Sequence, residues 1–245
     1  MIFFLVWSLY LLYVGKWQFS GVVLALSISV KLIPLIFLPL FFQWFVKHGK
    51  TEVSVSKKLL QLIGFYFIVG FTTLLLFAPF YSSEFISNYS KTVALWFQNF
   101  EFNASLYYIA REVGYLFRGY NEIAIIGKVT PILVILFVLA ITFLRKNTSP
   151  KALITAMLLV LSVYYFTTTT VHPWYVATLL ILSVFTRYKF PLVWSFVIIL
   201  SYLAYINLNK ADKSENLWVI ALEYLVVYSI FIWEVFIKKA PKLNT

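Results

Sequence analysis

The sequence predicts an all-α protein: a polytopic transmembrane bundle of about eight helices, with one further amphipathic helix lying in the outer interface. Three observations carry that expectation. Apolar residues make up 62% of the chain and mean hydropathy is +0.89. Charged residues make up only 12%, about half the share of a soluble domain. Long apolar runs recur from one end of the chain to the other. This composition excludes a soluble globular domain, and it excludes disorder equally. The net charge is +11, from 20 Lys+Arg against 9 Asp+Glu. Basic cytoplasmic loops and anionic headgroups account for that excess in a membrane protein, so the expected partners are membrane lipids and not nucleic acid. Cysteine is absent, which removes disulfides, thiolate metal sites and thiol nucleophiles. One crossing takes about 20 apolar residues, so residues 1–245 read as a single membrane domain.

The apolar runs are Ile2–Val14, Phe19–Val46, Leu59–Phe80, Ile123–Leu144, Ala152–Thr170, Trp174–Thr186, Phe190–Ile206 and Leu217–Ile237. Between them, one alternating set of connectors holds Lys47, Lys50, Lys57, Lys58, Arg145, Lys146, Lys151, Arg187, Lys189, Lys238, Lys239 and Lys242. The other set holds only Lys16, Lys91, Arg111, Arg118, Lys210 and Lys213. The richer set is expected in the cytoplasm, with both termini on that side of a bacterial inner (plasma) membrane. Ile2–Val14 is short and lacks a basic leader or cleavage site. The chain is therefore expected to begin inside a helix, as the C-terminal part of a larger membrane domain. Phe19–Val46 is too long for one straight crossing and carries Lys31, Pro34 and Pro39 in its middle.

The largest connector, residues 81–122, is an external loop rich in aromatics. From Asn103 to Gly119 the apolar residues Leu106, Ile109, Val113, Leu116 and Phe117 recur at helical spacing, with Arg111, Tyr115 and Arg118 opposite. Asn103 is expected to cap the start of this helix and Gly119 its end. Its apolar face should lie in the outer membrane interface.

Lys31 is the most informative single position. An ammonium near mid-membrane costs at least about 2.5–3.5 kcal/mol unless solvated or paired. It lies roughly 18–22 Å from either end of its run, and Pro34 breaks the helix just beyond it. It either lines a watery cavity for an anion, pairs with an internal glutamate such as Glu223, or marks a run split into two half-helices. His172 sits in the short turn Val171-His172-Pro173-Trp174-Tyr175. Proline, tryptophan and tyrosine suit an interfacial turn; the imidazole can in addition donate to phosphate or carry a proton. Arg111 and Arg118 offer forked donors for phosphate, or simply a solvated helix face. Glu101, Glu84, Glu112, Glu122, Asp212 and Glu215 all fall on the outer side, and spacing selects none of them as a base. Glu223 and Glu234 read as structural, with Glu234 placed to pair with Lys238 at i+4. There is no Gly-rich phosphate loop, no HExxH and no metal-ligand spacing.

The stretch from Gly21 to Pro34, followed by Pro39, resembles a segment of GT-C class polytopic glycosyltransferases, most nearly those similar to glycosyltransferase family 87. Phe102-Asn103-Ala104-Ser105-Leu106-Tyr107 and Val171-His172-Pro173-Trp174-Tyr175 resemble two further stretches in the same order. The resemblance spans about Lys16 to Tyr205 and implies an inverting transfer of a hexose, typically mannose. The donor would be a polyprenyl-phosphate sugar, with no permanently bound cofactor, and the acceptor an extracytoplasmic glycan or glycolipid. The donor phosphate would then fall to Lys31, Arg111 and His172, supported by Asn103, Trp174, Tyr175 and Arg118. The family's acidic residue lies in an early external loop, so the base is expected outside this chain, Glu101 being the candidate within it. The competing expectation is a transporter or lipid flippase with a broken-helix anion site, for which a split run bearing Lys31 is equally apt.

Overall fold

The computed structural model describes residues 1–47, 54–98, 100–206 and 215–238. The basic residues Lys50, Lys210, Lys213, Lys239 and Lys242, together with Asp212, lie outside the described residues. The described chain is all-α; its backbone elements are helices joined by short turns, with one isolated parallel bridge, Phe102 with Thr170. Four helices are long and apolar enough to cross a membrane: Val55–Phe80, Ile123–Leu144, Pro150–Thr167 and Leu217–Ile237. The chain is an integral membrane protein. The other four expected spans correspond to shorter apolar helices, Ile2–Tyr13, Trp17–Val30 with Ile33–Lys47, Pro173–Val184 and Phe190–Tyr202. The helices fall into two compact units, residues 1–95 with 131–163 and residues 96–130 with 164–245.

The first unit opens with two antiparallel helices, α1 (Ile2–Tyr13) and α2 (Trp17–Val30), turned at Gly15, whose φ of +82° favours glycine. Ser8 and Ser20 bond each other's carbonyls at 2.9 Å across this pair, and Ser27 donates to Met1 O at 3.0 Å. Apolar side chains alone give little drive for helices to associate in lipid, and small hydroxyl residues let the backbones approach. At Lys31 the backbone becomes extended (φ −161°, ψ 131°). A 3₁₀ stretch, Ile33–Leu40, follows with Pro34 in its first turn and Pro39 inside, and α3 (Phe41–Lys47) completes the leg.

This leg runs back alongside α2. The Trp17 ring at the start of α2 meets Phe45 at 6.3 Å. Helix α4 (Val55–Phe77) runs beside both legs, with Phe65 against Phe41 and Phe45 at 5.1 Å and Tyr66 Oη donating to Leu38 O at 2.9 Å. Gly21 of α2 faces Ile68 and Phe65 so closely that an added Cβ would lie 3.0 Å from Ile68. Phe19–Val46 is therefore not one crossing but two legs, and Lys31 stands at the turn between them. The split of this run at Lys31, one of the alternatives, is observed.

Helix α5 (Ser83–Gln98) was not foreseen; it follows α4 after a turn, and Phe85 and Tyr89 join Phe77 in an aromatic cluster. Helices α6 (Leu106–Arg118) and α7 (Ile123–Leu144) follow, then α8 (Pro150–Thr167). Within the first unit Gln43 Nε2 donates to Thr142 O at 2.5 Å, and its Oε1 accepts from Asn147 N at 2.9 Å. This amide ties the end of α3 to the end of α7. Lys47, Arg145, Lys146 and Lys151 consequently share one end of the unit, and the start of α2 brings Lys16 to it. That corrects one assignment: Lys16 was expected opposite Lys47 and lies on the same side. Met1, beside Ser27, lies toward the Lys31 end.

The second unit holds α6, α9 (Val176–Val184), α10 (Phe190–Val197), the short α11 (Leu203–Ile206) and α12 (Leu217–Ile232). Its core is aromatic: Phe166 stacks on Trp194 at 5.0 Å and touches Tyr228 at 4.6 Å, and Trp194 meets Tyr224 edge-on at 5.9 Å. Beyond α12 the turn Trp233–Ile237 widens to π geometry, with Lys238 N bonded to Trp233 O at 2.7 Å. The widening rotates Glu234 away from Lys238, so the expected i+4 pair does not form. Glu234 Oε2 instead accepts from Lys189 N at 2.7 Å and Phe190 N at 2.8 Å, capping α10. Lys238 lies over the Trp233 ring at 4.8 Å.

Candidate functional site

The connector leading into α6 and the turn before α9 meet inside the second unit. Phe102 N donates to Thr169 O at 3.0 Å and Val171 N to Phe102 O at 2.9 Å, so two short extended segments are stitched together. That bridge sets Asn103 beside the turn that carries His172. The Phe102 ring stacks on the imidazole at 5.0 Å, Trp174 stacks on it at 4.5 Å, and Tyr175 meets it edge-on at 5.4 Å. His172 is buried, whereas Trp174 is 57% exposed and turns an aromatic face outward.

Asn103 does not cap a helix. It is fully buried in the left-handed region (φ +45°), and α6 begins three residues later with Ser105 at its cap position. Asparagine is among the few side-chain-bearing residues that accept this conformation. Its backbone N–H donates to both oxygens of Glu215, at 2.9 and 3.0 Å, and its carbonyl accepts from Tyr224 Oη at 2.7 Å. Its side-chain nitrogen donates to Glu223 Oε1 at 3.1 Å. Glu223, considered in the sequence as a partner for Lys31, also accepts from Trp194 Nε1 at 3.4 Å. Gly119 does end α6 as expected, at φ +76°.

Helix α6 carries the network outward from Glu215. Tyr108 Oη donates to Glu215 Oε2, and the Arg111 guanidinium lies over the Tyr108 ring at 4.5 Å. Arg111 Nη1 reaches Glu101 Oε1 at 2.6 Å, while Nη2 and Nε reach Glu112 Oε1 at 2.9 and 3.2 Å. Glu101 Oε2 accepts from Tyr107 Oη at 2.5 Å and from Asn121 Nδ2 at 3.3 Å. The buried face of α6 is thus Tyr107, Tyr108 and Gly114, and its apolar residues Ile109, Val113, Leu116 and Phe117 are exposed. An exposed apolar stripe on a helix with a polar, anchored opposite face is what a membrane interface would cover.

The electrostatics follow from that packing. Burial works against the charge on Arg111, but the Glu112 and Glu101 carboxylates outweigh it and hold the guanidinium firmly charged. Burial lifts the Glu215 carboxyl above its ordinary range, although the Tyr108 hydroxyl and the Asn103 N–H pull it back. Burial and the adjoining Glu215 carboxylate keep the Tyr108 phenol protonated well past its usual range. Arg118 stands apart: 59% exposed, it forms an ion pair with Glu122 at 3.1 Å.

Of the residues expected to bind a donor phosphate, Arg111 and His172 belong to this unit, with Asn103, Trp174, Tyr175 and Arg118. Lys31 belongs to the first unit, half-buried at its turn. Glu101 is in direct contact with Arg111. Tyr107, Tyr108 and Glu215 were not singled out by the sequence. The signal for the tyrosines was available: positions 107, 108 and 111 share the face of α6 opposite the apolar stripe. Nothing local marked Glu215, whose partner lies 112 residues away in sequence. Among the described residues no group of three or more His, Cys, Asp or Glu is placed to hold a metal ion.

Compared with models of known protein families, with curated proteins and with solved structures, the chain matches none.

Proposed function

We propose that this membrane protein handles a lipid-linked sugar at the outer membrane face, as a polytopic glycosyltransferase of the GT-C type would. The reaction in this reading is inverting transfer of a hexose, mannose in the simplest case, from a polyprenyl phosphate to an extracytoplasmic glycan or glycolipid. One observation supports it above the others. Midway along a helix suited to the interface, Arg111 is shared between a part-buried carboxylate, Glu101, and an exposed one, Glu112, whose side chain is 58% accessible.

Chemically, that arrangement can exchange partners. A phosphate entering from the interface replaces Glu112 on the forked guanidinium while Glu101 keeps the side chain in place. As the glycosidic bond breaks, negative charge grows on the leaving polyprenyl phosphate, and a fixed cation stabilises the transition state more than the ground state. Glu101 is the carboxylate within this chain that can accept the acceptor's hydroxyl proton. The exposed Trp174 face beside His172 suits the C–H face of a sugar ring.

The basic end of the first unit is placed in the cytoplasm by the positive-inside bias. Lys31 and Met1 then lie at the opposite, outward end of that unit. A transporter or flippase is the second reading, favoured by the break at Lys31 between two short legs.

The test is direct binding of polyprenyl-phosphate mannose to the chain in lipid nanodiscs. Saturable binding that competes with free polyprenyl phosphate, and that Glu112→Gln tightens, is the expected result. Binding unaffected by Glu112→Gln would remove the exchange. Movement of the lipid or of a soluble anion across sealed vesicles, without sugar transfer, would favour the second reading.

A further inference from the structure

Beneath the outer network lies a buried pair of acceptors that no partner satisfies. Glu223 and Asn103 are both fully buried, and one hydrogen bond joins them, Asn103 Nδ2 to Glu223 Oε1 at 3.1 Å. The second oxygen of each group, Glu223 Oε2 and Asn103 Oδ1, is buried with no hydrogen-bond partner. A buried acceptor left unpaired costs roughly 1–3 kcal/mol, more if charged, so two on adjoining groups need an explanation. Rotating the Asn103 amide by a half-turn exchanges its N and O and leaves one acceptor facing another.

We propose that Glu223 is a resident proton-binding site: its Oε2 carries a proton and donates it to Asn103 Oδ1, closing a two-bond ring between carboxylic acid and amide. One proton then satisfies both orphaned atoms, because a protonated carboxyl is donor and acceptor together while an ionised one only accepts. The surroundings agree. Trp194 from α10 donates to Oε1 from the far side at 3.4 Å. The charged group acting on the site from the segment before α12 is the Glu215 carboxylate, which opposes a second negative charge there. Tyr224, on α12 beside Glu223, spends its hydroxyl on the Asn103 carbonyl.

The consequence reaches the surface. Asn103 holds Glu215 through its N–H and sits next to the Phe102 bridge that carries the His172 turn. Loss of the proton sets a carboxylate against the amide oxygen and loosens the residue on which both depend. The site therefore binds a proton as a condition of holding the outer network together. This inference rests on the hydrogen bonds alone and stands whether or not the network transfers a sugar.

The experiment uses the full chain in nanodiscs. Infrared spectra at neutral pH should contain a protonated-carboxyl carbonyl band that shifts with isotope-labelled glutamate. The band should persist in Glu215→Gln and vanish in Glu223→Gln. Glu223→Gln keeps both rungs of the ring, with its amide N–H in place of the acid O–H, so it should fold and unfold at or above the parental temperature. Glu223→Ala should unfold well below it. A parent with no such band, or a Glu223→Gln protein as unstable as Glu223→Ala, overturns the proposal. So does a parent whose unfolding temperature rises with sodium but not with choline, an effect lost in Glu223→Gln, because a cation would then bridge the two oxygens.

Discussion

The two units bury polar atoms in different ways, and the difference separates scaffold from site. In the first unit the buried polar groups are neutral and local in purpose: Ser8 with Ser20, Ser27 with the Met1 carbonyl, Gln43 tying α3 to α7. Its described lysines and arginines are gathered at one end, apart from Lys31 at the turn and Lys91 on α5. In the second unit the buried polar groups include carboxylates, Glu223 and Glu234 inside the bundle and Glu215 at its margin. A hydroxyl bonded to a backbone carbonyl stabilises a helix pair cheaply in lipid. A carboxylate in the same setting is costly unless donors meet it, so its presence marks a place where the fold does more than pack.

The comparison is broken or sharpened by substitutions. The largest effect is expected at Glu234, which receives two backbone N–H groups at the start of α10. Glu234→Ala strands both donors and should lower unfolding free energy by about 3 kcal/mol, read by thermal unfolding in detergent. Next comes Asn103→Ala, which removes the amide from Glu223 and substitutes a residue poorly suited to φ +45°. A loss of about 2 kcal/mol is expected, accompanied by faster hydrogen exchange of the His172 turn. In the first unit Ser8→Ala should cost only about 1 kcal/mol. A loss there as large as at Glu234 would erase the distinction between the units.

Glu215 supplies a pH test. Burial raises its pKa, so the folded chain holds this proton more tightly than the unfolded chain does. Its contribution to stability is fully present below the ordinary carboxylate range and is lost as pH rises through the raised folded value. Unfolding temperatures measured across that window in the Glu223→Gln background should fall with pH, and Glu215→Gln should flatten the slope. Last, Arg118→Ala should leave the unfolding temperature unchanged within error, because an exposed ion pair is screened by solvent.

Much of this was legible in the sequence, and what was not has physical causes. Composition alone gave the membrane class, and Ile123–Leu144 was read to the residue because its apolar run has no internal break that ends it. The run through Lys31 misled because hydropathy sums residues without regard to direction. Pro34 and Pro39 announced a break, but only packing of Trp17 on Phe45 reveals that the chain turns back. Gly119 was legible because a left-handed helix end favours glycine; Asn103 carried the same preference, and its neighbour's bridge to Thr169 and Val171 took it elsewhere. Arg111 was singled out by its side-chain chemistry. Its neighbour Glu112 is adjacent in sequence, but its other partner Glu101, and the bonds of the tyrosines, depended on how α6 lies against residues 101, 121 and 215, and no local pattern encodes that.

The central claim is that Arg111 acts on the phosphate of a lipid-linked sugar while Arg118, a helical turn or two away, is only a solvated cation. Binding of polyprenyl-phosphate mannose to Arg111→Ala and Arg118→Ala in matched nanodiscs tests it most directly. The account predicts that Arg111→Ala weakens binding by about tenfold or more, the value of roughly one charge-assisted contact, and that Arg118→Ala binds like the parent. Equal affinity in all three proteins, or a loss confined to Arg118→Ala, would contradict it.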